Sequence, residues 1–114
     1  VVARRLPPDV LPVLMCDAES EVRREVARRI STEWLMAMVW DEEPRVRLEV
    51  SARLDGSQLA VFLKDPDWRV RYAVAERIDA AFLLHLAEDS DADVREAVRR
   101  RLEGSSSIEE GSES

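Results

Sequence analysis

The sequence predicts an all-α protein, an α-solenoid of about four 24-residue repeats in which a longer helix alternates with a short or 3₁₀ one. Three observations carry this expectation. Asp17, Asp41, Asp65 and Asp89 stand 24 residues apart. The same spacing relates Val22-Arg23, Val46-Arg47, Val70-Arg71 and Val94-Arg95. The composition agrees: 46% apolar and 36% charged residues, with 5% aromatics and three Gly among 114 residues. That balance suits soluble helices and lacks the aromatic strand formers and turn residues of an all-β fold.

Each repeat reads Asp-x4-Val-Arg-x2-Val-x2-Arg-[Ile/Leu], followed by an apolar segment that leads to the next Asp. Val22, Val26 and Ile30 fall at i, i+4 and i+8, one face of a helix. Val46, Val50, Leu54 and Val70, Val74, Ile78 repeat the pattern, and Ala27 and Ala75 are small enough beside that face for close packing. Ser20, Pro44 and Asp67 are start signals for these helices. The apolar segments carry Leu11, Leu35, Leu59 and Leu83 in register. They are nearly continuously apolar, which predicts short helices buried on most sides, with Asp9, Ser31, Asp55 and Asp79 as capping candidates. Neither helix buries its apolar face alone, so stacking units must supply one continuous core. Val2, Arg5 and Leu6 extend three columns to the start of the chain.

The final helix, ending near Leu102, replaces the small column Ala27, Ser51 and Ala75 by Arg99. Arg on the stacking side is what a terminal cap requires. The expected organisation is a repeat domain over 1–103 and a disordered Gly/Ser/Glu tail over 104–114, too polar to offset its ordering entropy. The start of the chain shows no polar cap and no Met, which suggests more N-terminal sequence, an excised or designed fragment, or self-association through that end.

Charge and cysteine usage narrow the function classes. Lys and Arg total 17, Asp and Glu 24, a formal charge of −7. Without the four Glu of 103–114 the balance is 17 basic against 20 acidic, so the body is close to neutral. All basic residues but Lys64 are Arg, which points to ordered ion pairs or to GC-rich codon usage. One Cys forms no internal disulfide, and no apolar run is long enough for a membrane span, so a cytoplasmic location is expected. One His and one Cys do not furnish a zinc or iron–sulfur centre. No nucleophile–base pair or Gly-rich phosphate loop is present, so neither catalysis nor a cofactor is expected.

The Asp and Arg columns have two readings. In the first, Asp17, Asp41, Asp65 and Asp89 form a structural ladder with Arg23, Arg47, Arg71 and Arg95. Each Asp then accepts from Arg of its own or a neighbouring repeat and from helix N-terminal N–H groups. In the second, the Arg row lines an anion-binding groove. The Asp row compensates the Arg row and favours the ladder. A second Arg row, Arg5, Arg29, Arg53, Arg77 and Arg101, is expected to cap helix C-terminal carbonyls, with ligand binding as the other reading.

Asp-x4-Val-Arg with a following Val-Ala, as in Asp65-Pro-Asp-Trp-Arg-Val-Arg-Tyr-Ala-Val-Ala75, resembles the turn and second helix of a HEAT repeat. The 24-residue period and short first segment resemble the leucine-rich repeat variant (LRV) family over roughly residues 2–102. The resemblance implies a right-handed superhelix of alternating α and short or 3₁₀ helices. It also implies that some relatives carry an N-terminal 4Fe–4S cluster. Such a cluster needs four thiolates and this chain has Cys16 alone, so any cluster is lost or lies upstream.

The remaining residues divide into bland and sharp. Cys16 and His85 read as ordinary repeat positions, and Trp34 as core packing. Trp40 shares its column with Cys16, Lys64 and Glu88, and Trp68 with Ser20, Pro44 and Ala92. Both flank an Asp turn, beside Arg45 and Arg69. Trp and Arg are the usual interface anchors, so Trp40, Arg45, Trp68 and Arg69 are the candidate partner-binding residues, with the two rings on one ridge. The leading expectation is a non-catalytic protein–protein interaction scaffold. The alternatives are the repeat region of a larger iron–sulfur LRV protein and, less favoured by the acidic total, a nucleic-acid-binding HEAT-like module.

Overall fold

The computed structural model describes residues 8–113, with side chains described for 11–104. Among the described residues every regular element is helical. The α-helices α1 (Ser20–Arg29), α3 (Pro44–Arg53), α4 (Trp68–Arg77) and α5 (Ala92–Glu113) begin 24 residues apart. Short elements precede them: the 3₁₀ helix η1 (Pro8–Cys16); α2 (Thr32–Leu35) running into η2 (Met36–Met38); η3 (Gln58–Phe62); and η4 (Ala80–Leu86). The chain divides into two compact units, Val1–Leu54 and Asp55–Ser114.

In the first unit α1 packs on η1 and α3. Its core takes Val22, Val26, Ala27 and Ile30 from α1 and its end, and Val46, Val50 and Leu54 from α3 and its end. In the second unit α4 packs on η3 and α5, and α5 on η4. Val70, Val74, Ala75 and Ile78 face Val94, Ala97 and Val98 across that core. The i, i+4, i+8 face predicted for each longer helix is the buried one. Each such Val or Leu contributes roughly 1.5–3 kcal/mol relative to exposure.

The short elements depart from expectation. They are buried on one side only. Leu35 and Met38, Leu59 and Phe62, and Leu83 and Leu86 are buried pairs three residues apart. A 3₁₀ helix has three residues per turn, so i and i+3 eclipse on one face and the intervening residues face outward. Val13, Trp34, Met36, Trp40 and Leu84 are accordingly exposed. Trp34 is therefore a surface residue and not core packing. A near-continuous apolar run had concealed this two-sidedness.

Helix starts follow the sequence signals with shifts of one residue. Ser20 and Pro44 are first helical residues, behind Glu19 and Glu43. Proline suits that position because its missing N–H is not needed there. Asp67 caps α4 by accepting from Arg69 N–H at 2.8 Å. Asp91 serves α5, accepting from Asp93 and Val94 N–H at 2.9 and 3.1 Å. Of the candidates ahead of the short segments, Asp55 accepts from Ser57 and Gln58 N–H at 3.1 and 3.0 Å. Ser31 and Asp79 make no side-chain cap bond, and the Asp9 side chain lies outside the described residues.

The helices end without glycine. Ile30, Leu54 and Ile78 follow α1, α3 and α4 with ψ near 150°, extended residues that turn the chain out and bury an apolar side chain. Helix α5 runs on to Glu113, through the segment whose composition favours disorder. Propagating an established helix costs far less than nucleating one. The columns at Val2, Arg5 and Leu6, and the proposed self-association of that end, lie outside the described residues.

Candidate functional site: the Asp–Arg ladder and the exposed aromatic positions

Arg23 and Arg71, each following the repeat Val, divide their guanidinium between two acceptors. In the first unit Arg23 Nη1 donates to the Asp17 carbonyl at 2.7 Å. Its Nε and Nη2 clamp the Asp41 carboxylate at 2.8 and 3.2 Å. In the second unit Arg71 Nη1 donates to the Asp65 carbonyl at 2.6 Å, and Nε and Nη2 hold Asp89 at 2.8 and 3.1 Å. Arg47 and Arg95 make the same carbonyl contact, to Asp41 and Asp89, at 2.6 Å. The own-repeat contact therefore goes to the Asp backbone and not to its carboxylate. The carboxylate instead accepts from Arg of the preceding repeat and from the N–H two residues on: Glu43 for Asp41 and Asp91 for Asp89, both at 2.9 Å.

This arrangement uses the chemistry of both residue types. A planar fork matches a carboxylate bidentately. The Arg23 and Asp41 side chains are 8% and 7% exposed, and those of Arg71 and Asp89 13% and 7%, so the pairs are nearly dry. Burial alone would raise the Asp89 carboxyl. The hydrogen bonds from Arg71 and Asp91 N–H, with the charges of Arg71 and Arg95, outweigh it and hold Asp89 below the usual carboxylate range. The Asp41 hydrogen bond pushes the Arg23 guanidinium further up, against the opposing effect of burial.

Arg53 and Arg101 of the second Arg row cap carbonyls, but those of the preceding helix. Arg53 Nη1 donates to the Ala27 and Ile30 carbonyls at 3.1 and 2.5 Å. Arg101 Nη1 donates to those of Ala75 and Ile78 at 3.2 and 2.5 Å. A helix end leaves carbonyls without intrahelical partners. Here a side chain 23 and 26 residues downstream takes the place of a left-handed glycine cap. Arg23, Arg53, Arg71 and Arg101 thus each bond to an adjacent repeat within their unit.

The candidate partner-binding residues fall in different units. Trp40 lies in the first and is 71% exposed. It borders a groove of about 570 Å³ with Met15, Cys16, Ala37, Met38 and the Arg23–Asp41 pair. Arg45 folds back on Glu43 at 3.4 Å. Trp68 lies in the second, is 42% exposed, and meets Tyr72 edge-to-face with ring centroids 6.4 Å apart. These rings and Arg69, Asp93, Glu96 and Arg100 border a groove of about 390 Å³. Arg69 is held by Asp67 at 2.8 Å and Arg100 reaches the Tyr72 hydroxyl at 3.2 Å. Sequence reading missed Tyr72, although it stands four residues after Trp68 on one helix face, and missed the exposure of Val13, Trp34 and Met36.

A solved structure described as a leucine-rich repeat variant with a novel repetitive protein structural motif is 41% identical to the chain, with a TM-score of 0.80 over 86% of it. The repeats are of the leucine-rich repeat variant type. The chain spans 42% of that LRV structure's own length. No protein-family model matches the sequence, and no curated protein does. Among the described residues no group of three or more His, Cys, Asp or Glu is placed to hold a metal ion, and no helix is long and apolar enough to cross a membrane. Cys16 is exposed and is the single thiol of this LRV chain. A 4Fe–4S cluster takes four thiolates, so these residues do not fit one.

Proposed function

We propose that this chain is a non-catalytic protein–protein interaction scaffold, in which four LRV repeats stack as a right-handed solenoid and present the outer faces of their short helices to a partner. The observation that carries this reading is the exposed apolar side of those helices. Trp34, Ala37 and Trp40 are spaced i, i+3, i+6, opposite the buried Leu35 and Met38, and all three are exposed. Two exposed tryptophans on one side of a short helix, with a small residue between them, form the kind of apolar patch that interaction surfaces use. The Asp and Arg columns meanwhile hold the frame together. A cytoplasmic location suits a chain with one unpaired thiol.

The test compares wild type with a Trp40→Ala/Trp68→Ala variant, each verified as folded by circular dichroism, in capture experiments from source lysate. The expected result is a stoichiometric partner that wild type retains, that the variant loses, and that rebinds wild type after purification. Equal capture by both proteins would remove the aromatic positions from the interface. Duplex DNA serves as the nucleic-acid control, and a salt-dependent shift with it would replace the scaffold reading.

A further inference from the structure

We propose that the face of α5 around Arg95 docks an acidic turn from a partner polypeptide, an Asp carrying an apolar residue three positions before it. The inference goes beyond the scaffold reading because it assigns the chemistry of the partner at a different set of residues.

The argument rests on the ladder's own geometry. Arg23 and Arg71 each place Nη1 on a carbonyl and the Nε/Nη2 edge on the next Asp carboxylate. Arg95 makes the same first contact, Nη1 to the Asp89 carbonyl at 2.6 Å. That bond repeats one of the two contacts that position the guanidinium in Arg23 and Arg71. Among residues 11–104, whose side chains are described, no carboxylate meets the Nε/Nη2 edge of Arg95. A preorganised fork with one edge open is a carboxylate receptor, because the ordering cost is already met.

The surroundings define the rest of the ligand. Arg95 borders a groove of about 460 Å³ whose walls are the apolar Ala87, Ala92, Val98 and Leu102 and the paired Glu96 and Arg99. The bound Asp residues of the ladder supply a template. Asp41 N–H donates to the Met38 carbonyl and Asp89 N–H to the Leu86 carbonyl, both at 3.2 Å, and Met38 and Leu86 are buried. A ligand built the same way sets its carboxylate on Arg95 and its apolar side chain, three residues earlier, into the groove.

Arg99 limits what can carry that turn. It occupies the column of Ala27, Ser51 and Ala75, where helices pack closely, and is tied to Glu96 and Glu103, the latter at 2.9 Å. A stacked helix would have to displace it, whereas a short turn seated on Arg95 meets it only as one wall of the groove. This favours a peptide turn of another protein over a further repeat or a second copy of this chain, both of which bring a helix behind the Asp.

The experiment uses the intact protein and a labelled peptide of sequence Asp79–Asp91, which contains the Leu86-x-x-Asp89 turn, read by fluorescence anisotropy. Saturable binding is expected. It should weaken by about tenfold when the peptide carries Asp89→Asn and when the protein carries Arg95→Gln, the loss of one bidentate charge-assisted contact. Arg95→Lys should weaken it too, since the charge remains and the fork is gone. Arg95 is exposed, so the variants are expected to fold, checked by circular dichroism. No saturable binding up to millimolar peptide overturns the proposal, as does binding indifferent to Arg95 and Asp89. An Arg95-dependent dimer of the protein alone in sedimentation equilibrium would assign the site to a second copy and overturn it as well. Trp40 and Trp68 take no part in this readout, so its failure leaves the scaffold reading standing.

Discussion

The two units share their interior and differ at their surface. Arg23–Asp41 in the first and Arg71–Asp89 in the second are superimposable in chemistry: one Nη1 to a carbonyl, then a two-point clamp with matching distances. Arg53 and Arg101 cap the preceding helix in the same way. Outside the columns the resemblance stops. The outer side of the first unit's helices α1 and α3 is an ion-pair network in which Glu49 accepts from Arg24 and Arg28. The corresponding part of the second unit, α4 and α5, carries Trp68, Tyr72 and Arg100. The first unit exposes Val13, Trp34, Met36 and Trp40, the second Leu84, Trp68 and Leu102. A residue that must match a neighbouring repeat is fixed by packing or by a fork-to-carboxylate fit. A residue facing water is free to differ, so the differences between the units lie in the positions outside the columns.

The sharpest way to break the common interior is to remove one arm of a clamp. Arg23→Ala and Arg71→Ala each leave a nearly buried carboxylate without its cation, which costs about 3–5 kcal/mol for a buried pair. Equal losses in urea denaturation of the two variants would confirm that the units use one device. A large inequality would show that the clamps are alike in geometry only. The pH dependence adds a second axis. Asp89 is depressed in the folded protein, so its contribution is full above the unfolded carboxyl value and is lost as pH falls through the folded one. Asp89→Asn should flatten the acid limb of the stability curve, measured against wild type.

A smaller effect separates the units at a single column. Pro8 and Thr32 begin the short segments of the first unit, whereas Gly56 and Ala80 hold that place in the second. A Cβ on Gly56 would lie 2.3 Å from Asp79 Oδ1 and 3.2 Å from the Arg77 carbonyl oxygen. Its own carbonyl accepts from Asp79 N–H at 3.2 Å, so the two segments cannot easily part. Gly56→Ala is expected to cost about 1–2 kcal/mol by overpacking. Most of that should vanish in the Asp79→Ala background, because the nearest clash is a side-chain oxygen. A double-mutant cycle with no coupling would place the strain at the Arg77 carbonyl instead.

The legible part of this molecule follows from its repetition. Four copies of Asp, Val-Arg, Val and Leu reveal the period, the buried face of each longer helix and the pairing of Asp with Arg, because repeated positions must satisfy repeated contacts. What the columns do not encode is direction. Nothing in the spacing of Asp65 and Arg71 says that Arg71 takes the Asp65 backbone and reserves its fork for Asp89. Likewise Arg101 gives no sign that its carbonyls belong to the helix before it. The sidedness of the short segments was hidden for another reason: Leu83-Leu84 reads as one apolar run, yet a three-residue turn buries the first and exposes the second. The Trp68–Tyr72 contact was visible at i, i+4 and overlooked because Tyr72 belongs to no column.

The smallest expected effect concerns the two tryptophans, and it sharpens the contrast between frame and surface. Trp40 is mostly in water and meets no aromatic ring among the described residues, so Trp40→Ala should change stability by no more than about 0.5 kcal/mol. Trp68 has an edge-to-face partner in Tyr72, a contact worth about 0.5–1.5 kcal/mol beyond its buried area. Trp68→Ala should therefore lower the urea midpoint measurably, and Trp68→Phe should recover most of the loss by keeping a ring against Tyr72. If Trp40→Ala proves the more costly, then Trp40 belongs to the frame of the first unit and its exposure is no evidence of recognition. If the order holds, Trp40 contributes little to the fold that carries it, which is what the proposed partner-binding role requires of a tryptophan where the other repeats place Cys16, Lys64 and Glu88.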